Sequence, residues 1–184
     1  METTVLEPQT SYAGTAQNSR LRLFFIESLK DIYYAEKHLV DALEDLRDEA
    51  TTIELKNAFI EHRSVTLGHV TRLEQVFASL GEEPDTKKCY AIKGIISEAD
   101  SIINDTENDT LTRDAALILA AQKAEHYEIA TYGTLVQFAK VLGENEAALL
   151  LAETLQEEKD ADITLTKIAE SFINRDASTE TEEE

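Results

Sequence analysis

Residues 120–135 read AAQKAEHYEIATYGTL. Apolar and small side chains recur here at steps of three and four, the spacing of one face of an α-helix packed on one side. Extending those steps in both directions gives Ile118, Ala121, Glu125, Glu128, Tyr132, Leu135, Ala139 and Leu142. Two carboxylates therefore fall on the face that the helix must bury. An unpaired buried carboxylate costs several kcal/mol, and two side by side repel each other. Something elsewhere in the chain must neutralise them.

The rest of the sequence repeats the pattern. Period-two alternation is rare, Leu, Ala, Glu and Lys dominate the middle, and prolines occur only at positions 8 and 84, so the class is all-α. Four long helices and one shorter one are predicted. The first runs from about Ser19 to Glu49. In the second, capped by Thr51 or Thr52 with Glu54 as the acid of a capping box, the helix continues to a stop at Gly81, ahead of Pro84. CYAIKGIISEADSIIND, residues 89–105, forms the short helix. The third long helix covers about Thr112 to Leu142 and stops at Gly143; the fourth reaches about Asn174. Residues 1–18 are expected to be a flexible arm, 19–174 a helical bundle, and 175–184 an acidic, disordered tail.

Short connections within the first and last pairs of long helices imply two antiparallel hairpins. The roughly 30-residue segment between them can cross the bundle, which is the ferritin-like topology; the alternative is an up-and-down bundle with the short helix as a decorated loop.

Each long helix carries an ionisable residue inside its stripe. The first reads Phe25, Leu29, Ile32, Glu36, Leu39, Leu43, Leu46; the second Leu55, Phe59, His62, Thr66, His69, Leu73, Val76, Leu80. The fourth long helix reads Leu151, Thr154, Glu158, Asp162, Leu165, Ala169, Phe172. Counted from the turns, Glu36, His62, Glu128, Glu158 and Asp162 lie at depths agreeing to within about 8 Å at 1.5 Å of rise per residue, near mid-bundle. Protonation, tyrosine hydroxyls from Tyr33, Tyr127 or Tyr132, or bound cations would balance such a layer. Two divalent ions would neutralise four carboxylates, with imidazole completing the coordination. The bundle di-metal pattern asks for Glu-x-x-His pairs; this chain instead has Glu125-x-x-Glu128 and Glu158-x-x-x-Asp162. Blander readings exist: Glu36 can snorkel to solvent, His62 and His69 can be hydrogen-bonded core histidines, and Glu157 can replace Glu158 if its helix is rotated.

Charge narrows the function classes. With 37 acidic and 17 basic side chains the formal net charge is −20, which argues against nucleic-acid and anionic-membrane partners. One cysteine, Cys89, allows no internal disulfide, and METTVLEPQTSYAGTAQ has neither a basic n-region nor a long apolar run, so a cytoplasmic protein is expected.

LKDIYYAEKHL (29–39), DAALILAAQKAEHYEIATYGTL (114–135) and TLQEEKDADITL (154–165) together resemble the YciF-type branch of the ferritin-like superfamily, bacterial stress-associated proteins grouped under a domain of unknown function, DUF892. The resemblance covers about residues 20–172 and implies a ferritin-like bundle, a homodimer, and a di-iron-type site. Carried over by position, its metal residues are Glu36, His62, Glu125, Glu128, Glu158 and Asp162, with Glu128 and Glu158 as bridges. An Fe or Mn pair with ferroxidase or peroxide-consuming activity would fit carboxylate-rich ligands with imidazole. Relatives usually carry acids two and three positions after the second-helix histidine, where this chain has Ser64 and Val65. If one of those acids is a ligand, the site holds a single ion, binds weakly or is empty. The alternative is a metal-free helical dimer acting as a structural or partner-binding stress protein.

Overall fold

A computed structural model of the protein describes residues 19–181. Its helices are α1 (Arg20–Glu49), α2 (Ile53–Ser79), α3 (Tyr90–Asp105), α4 (Leu111–Leu142) and α5 (Asn145–Ile168), followed by a π-helical turn (Ala169–Ile173) and α6 (Asn174–Ala177). The predicted arm at 1–18 lies outside the described residues. Among those described, no helix is long and apolar enough to cross a membrane.

Local chemistry sets the ends. Ser19, Thr52 and Thr110 each accept a hydrogen bond from the backbone N–H three residues on, satisfying a donor that the helix itself cannot. Cys89 caps α3 in the same way, its Sγ 3.4 Å from the Ile92 nitrogen. Gly143 closes α4 at φ 81°, a left-handed conformation that a side chain would strain. The capping box expected at α2 does not form. With Thr52 as the cap, Glu54 stands one place short of the third helical position, and the Thr52 N–H goes to Asp114 Oδ2 at 2.9 Å.

Asp114 decides the topology. Its other oxygen accepts from Thr51 N at 2.6 Å, so α4 begins at the end of the molecule where α2 begins. The two run parallel, and the connection carrying α3 must travel the length of the bundle. That is the ferritin-like crossover and excludes the up-and-down alternative. α1 packs on α2 and α4, α5 packs on α4 and α2, and α3 lies against α4 and α1. Arg113, 2% exposed, pins the crossover's end by donating to the Ile103 and Thr106 carbonyls and pairing with Glu49.

The predicted stripe of α1 is buried in full, Glu36 included. The core falls into two apolar clusters. One contains Phe25, Leu29, Ile32, Leu73, Leu135 and Leu151, the other Leu43, Leu46, Leu55, Phe59, Leu117 and Leu165. Each fully buried side chain of this kind contributes roughly 1.5–3 kcal/mol. The acidic and histidine residues of the four long helices occupy the layer between.

Two expectations are corrected at the C-terminal end. The π turn adds residues per turn, so the stripe of α5 passes from Ala169 to the fully buried Ile173 rather than to Phe172, which is only partly buried. Of the tail expected at 175–184, residues 182–184 lie outside the described residues; before them α6 extends to Ala177, past the expected bundle end at 174, and Glu180 accepts from Leu111 N at 2.7 Å and Thr112 N at 2.8 Å. Those free N–H groups at the start of α4 attract a carboxylate, which is why an acidic segment orders there.

Removing the acceptor at position 114 would leave two backbone donors unpaired at a buried corner. Asp114→Ala is expected to lower the unfolding free energy by about 2 kcal/mol, read from urea melts, with Asp114→Asn recovering part of the loss.

Candidate metal centre

The mid-bundle layer collects Glu36 from α1, His62 and His69 from α2, Glu125 and Glu128 from α4, and Glu158 from α5. The four carboxylates are each 2% exposed or less, and His69 is fully buried. His62 keeps a small opening, its side chain 14% exposed. Seven residues separate the histidines, two helical turns, so they reach the layer at different levels.

At one level His69 Nδ1 lies 2.9 Å from Glu158 Oε1 and 3.6 Å from Glu36 Oε1. At the other, His62 Nε2 lies 3.0 Å from Glu125 Oε1 and 3.7 Å from Glu158 Oε2. In each triad, Glu36–His69–Glu158 and His62–Glu125–Glu158, the donor atoms all lie within 4.8 Å of one another. Glu158 belongs to both and turns one oxygen toward each, the arrangement of a bridging carboxylate.

Partners are missing where they would be expected. Glu36 Oε2, Glu125 Oε2, Glu128 Oε1, both oxygens of Glu158 and His69 Nδ1 are buried without a hydrogen bond. His69 Nδ1 is near Glu158 but off the line a hydrogen bond requires. Native interiors leave few such groups, and each calls for an ion, a water or a functional reason.

Around the layer, other residues hold these side chains in place. His69 Nε2 is 2.9 Å from Glu157 Oε2, and Arg72 grips the Glu157 carboxylate with Nη1 at 2.6 Å and Nη2 at 3.2 Å. A carboxylate on the outer nitrogen of an imidazole leaves the inner nitrogen directed at the cluster, as the carboxylates behind metal-bound histidines do. Tyr132 Oη donates to Glu36 Oε1. Tyr33 and Tyr127 turn away, to Glu74 at 2.8 Å and Asp31 at 3.2 Å.

Without a cation, protons take up the charge. Burial raises the carboxyls of Glu36, Glu128 and Glu158 above their ordinary range, and at Glu128 the neighbouring Glu158, Glu36 and Glu125 charges add to it. Burial opposes a charge on His69, yet Glu158 and Glu36 outweigh it and push its pKa up to about 10. His62 is raised for the same reasons, with burial opposed by Glu125 and Glu158. At Glu157 burial is outweighed by Arg72 and His69, which hold its carboxyl below the usual range.

Five of the six residues singled out from the sequence meet here: Glu36, His62, Glu125, Glu128 and Glu158. Asp162 does not. Its Oδ1 accepts from Gln122 Nε2 at 3.0 Å and faces the exposed His126, and the side chain is 21% exposed. A step of four from Glu158 overshoots a full turn by about 40° and moves a turn further along α5, where Gln122 takes the carboxylate. His69 stands in the layer instead. It was visible on the stripe of α2, but spacing could not show that Glu157 and Arg72 would orient it. The resulting four carboxylates and two imidazoles match the ligand count of di-metal bundle sites, though not their distribution among helices.

The topology and this buried layer define a ferritin-like helical bundle protein with a carboxylate–histidine cluster. The family described as "Domain of unknown function (DUF892)" matches residues 20–178, and the chain belongs to that family. It is 47% identical over 157 residues to Protein YciF of Escherichia coli (strain K12), covering 83% of this chain and 92% of that protein. The crystal structure of the E. coli stress protein YciF superposes with a TM-score of 0.81 at 45% identity, covering 85% of this chain and 99% of that one. A two-domain protein of Anabaena variabilis, with DJ-1/ThiJ/PfpI-like and ferritin-like domains, shares the fold at a TM-score of 0.62 and 15% identity, covering 100% of this chain and 49% of that one.

The raised carboxyl of Glu128 fixes a pH dependence. Its folded state binds more protons than its unfolded state, so its contribution to stability falls as pH rises above the unfolded carboxyl range toward the folded pKa. Glu128→Gln keeps the neutral shape and removes that loss. Chelator-treated Glu128→Gln protein is expected to melt higher than the parent at pH 7.5, with the gap narrowing toward pH 4.5.

Proposed function

We propose that the protein is a dinuclear iron or manganese carboxylate protein that acts on O₂ or peroxide, in a stress-associated role like that named for its E. coli relative. The unpartnered buried atoms carry this reading: five carboxylate oxygens and one imidazole nitrogen lie buried on four helices without a well-formed hydrogen bond, although His69 Nδ1 approaches Glu158 Oε1 to 2.9 Å. Oxygen-rich ligands with imidazole suit Fe or Mn. Bound there, such a pair would supply electron transfer to or from O₂ or peroxide.

The residues have distinct parts. Glu158, common to both triads, would bridge the two positions, and Glu128, in neither triad but beside Glu158, Glu36 and Glu125, would add a carboxylate from α4. Glu36 and His69 would hold the inner position, Glu125 and His62 the outer. Glu157 and Arg72 orient His69, and Tyr132 holds Glu36 while keeping a proton on its own oxygen, since burial and the Glu36 charge push the phenol well above its ordinary value.

A second reading has one observation behind it. Protonated His69 beside Glu158 and Glu36 can balance part of the charge, which would suit a metal-free structural protein. Metal content separates the two. Protein purified without chelator or an affinity-metal column is expected to carry about two Fe or Mn per chain by mass spectrometry, and Glu128→Ala to lose them. Metal near zero, with melting unchanged on adding Mn(II) or Fe(II), leaves the structural reading.

Native-state binding raises stability by mass action, so saturating Mn(II) should reverse the order of melting temperatures between the parent and Glu128→Gln. Glu157→Gln is expected to weaken Mn(II) binding by about 10–100-fold in competition with a fluorescent chelator, with the fold intact by circular dichroism.

A further inference from the structure

A cavity of about 230 Å³ reaches the cluster from the side of α2 and α5, ending at His62 and Glu125. Leu43, Phe59, Val65, Ala161 and Leu165 make its wall apolar, while the acids Glu61 and Asp160 on its lining are exposed. An apolar cavity of about 150 Å³ is enough for benzene. At its inner end stand His62, its side chain 14% exposed, and Glu125, 2% exposed, with His62 Nε2 3.0 Å from Glu125 Oε1. A mostly apolar space with a few converging polar groups is the usual form of a small-molecule site.

We infer that this cavity binds a small, uncharged, largely apolar molecule bearing one oxygen, a phenol or alcohol, with that oxygen facing His62 and Glu125. Three features define the class. An anion would meet the carboxylate of Glu125 at the inner end and those of Glu157, Glu61 and Asp160 on the rest of the lining. A cation larger than a metal ion would lose its hydration against the apolar wall, where the lining carboxylates Glu125 and Glu157 are already engaged by His62 and Arg72. A neutral hydroxyl can hydrogen-bond at the His62 end, where that side chain keeps its opening, while its carbon body fills the wall. Val65 contributes directly, since an acid at that position would put a charge where the guest's apolar surface lies.

The inference rests on the di-metal reading for what the guest's oxygen would meet in the loaded protein; the fit of the cavity does not depend on it. The test is isothermal titration calorimetry of p-cresol, with p-toluate as the anion of similar shape, on the full chain both chelator-treated and Mn(II)-loaded. p-Cresol is expected to bind both forms, and p-toluate not to bind the chelator-treated form. Ala161→Phe should weaken p-cresol by about tenfold or more with Mn(II) stoichiometry unchanged. Ala58→Leu, which narrows the cavity from α2, should act in the same direction if the larger substitution perturbs folding. No p-cresol binding to the parent, equal binding of p-toluate to the chelator-treated form, or undiminished p-cresol binding in both folded variants overturns the inference. Failure to take up Mn(II) while p-cresol still binds overturns the di-metal reading alone; Mn(II) uptake without p-cresol binding overturns the cavity's assignment alone.

Discussion

Four glutamates share one buried layer with two histidines, and the electrostatics of that layer makes demands on everything around it. Carboxylates this close cannot all be ionised without a compensating positive charge. The layer therefore holds protons or cations, and its helices must keep the donors converged against their mutual repulsion. The two apolar clusters supply that restraint. Each helix is anchored by large side chains on both sides of the layer, such as Leu29 and Leu43 on α1 or Leu151 and Leu165 on α5. A bundle with a single apolar cluster would relieve the repulsion by splaying at one end; this one is held at both.

The same logic explains why the orienting residues are where they are. His69 is fully buried, but the carboxylate behind it, Glu157, is partly exposed and paired with Arg72. Charges in the interior are costly unless paired and hydrogen-bonded. Setting the Glu157–Arg72 pair toward the surface fixes the imidazole while leaving water to solvate the rest of the ion pair.

Much of this was legible in the sequence because heptad-like spacing reports which face of a helix is buried. Glu36, Glu125, Glu128 and Glu158 could be placed on inward stripes, and Ser19, Thr52 and Gly143 mark helix ends by their own chemistry. What could not be read depended on contacts between distant segments. Asp162 sits on the extrapolated stripe, yet Gln122 across the helix pair draws it aside. Arg113 and Asp114 look like ordinary surface charges at a helix start, and only the crossover's path buries them. Glu180 looks like part of a solvated acidic run until the open end of α4 is beside it. The π turn has no signal in AESFI; it shows only where the register of α5 shifts to bring Ile173 inward.

The Asp114 contact also bears on how the chain folds. The first hairpin cannot complete its own turn: the backbone donors of Thr51 and Thr52 find their acceptor 63 and 62 residues later. Closing so long a segment carries an entropic cost before any contact rewards it, and non-local contacts slow folding relative to helical proteins with local ones. Helices can form early and pair locally, but docking of α4 onto the first hairpin must precede a finished turn at that corner. Assembly of the two hairpins is thereby a late step, and only then do Glu36 and the two histidines of the first hairpin meet the three glutamates that α4 and α5 already share.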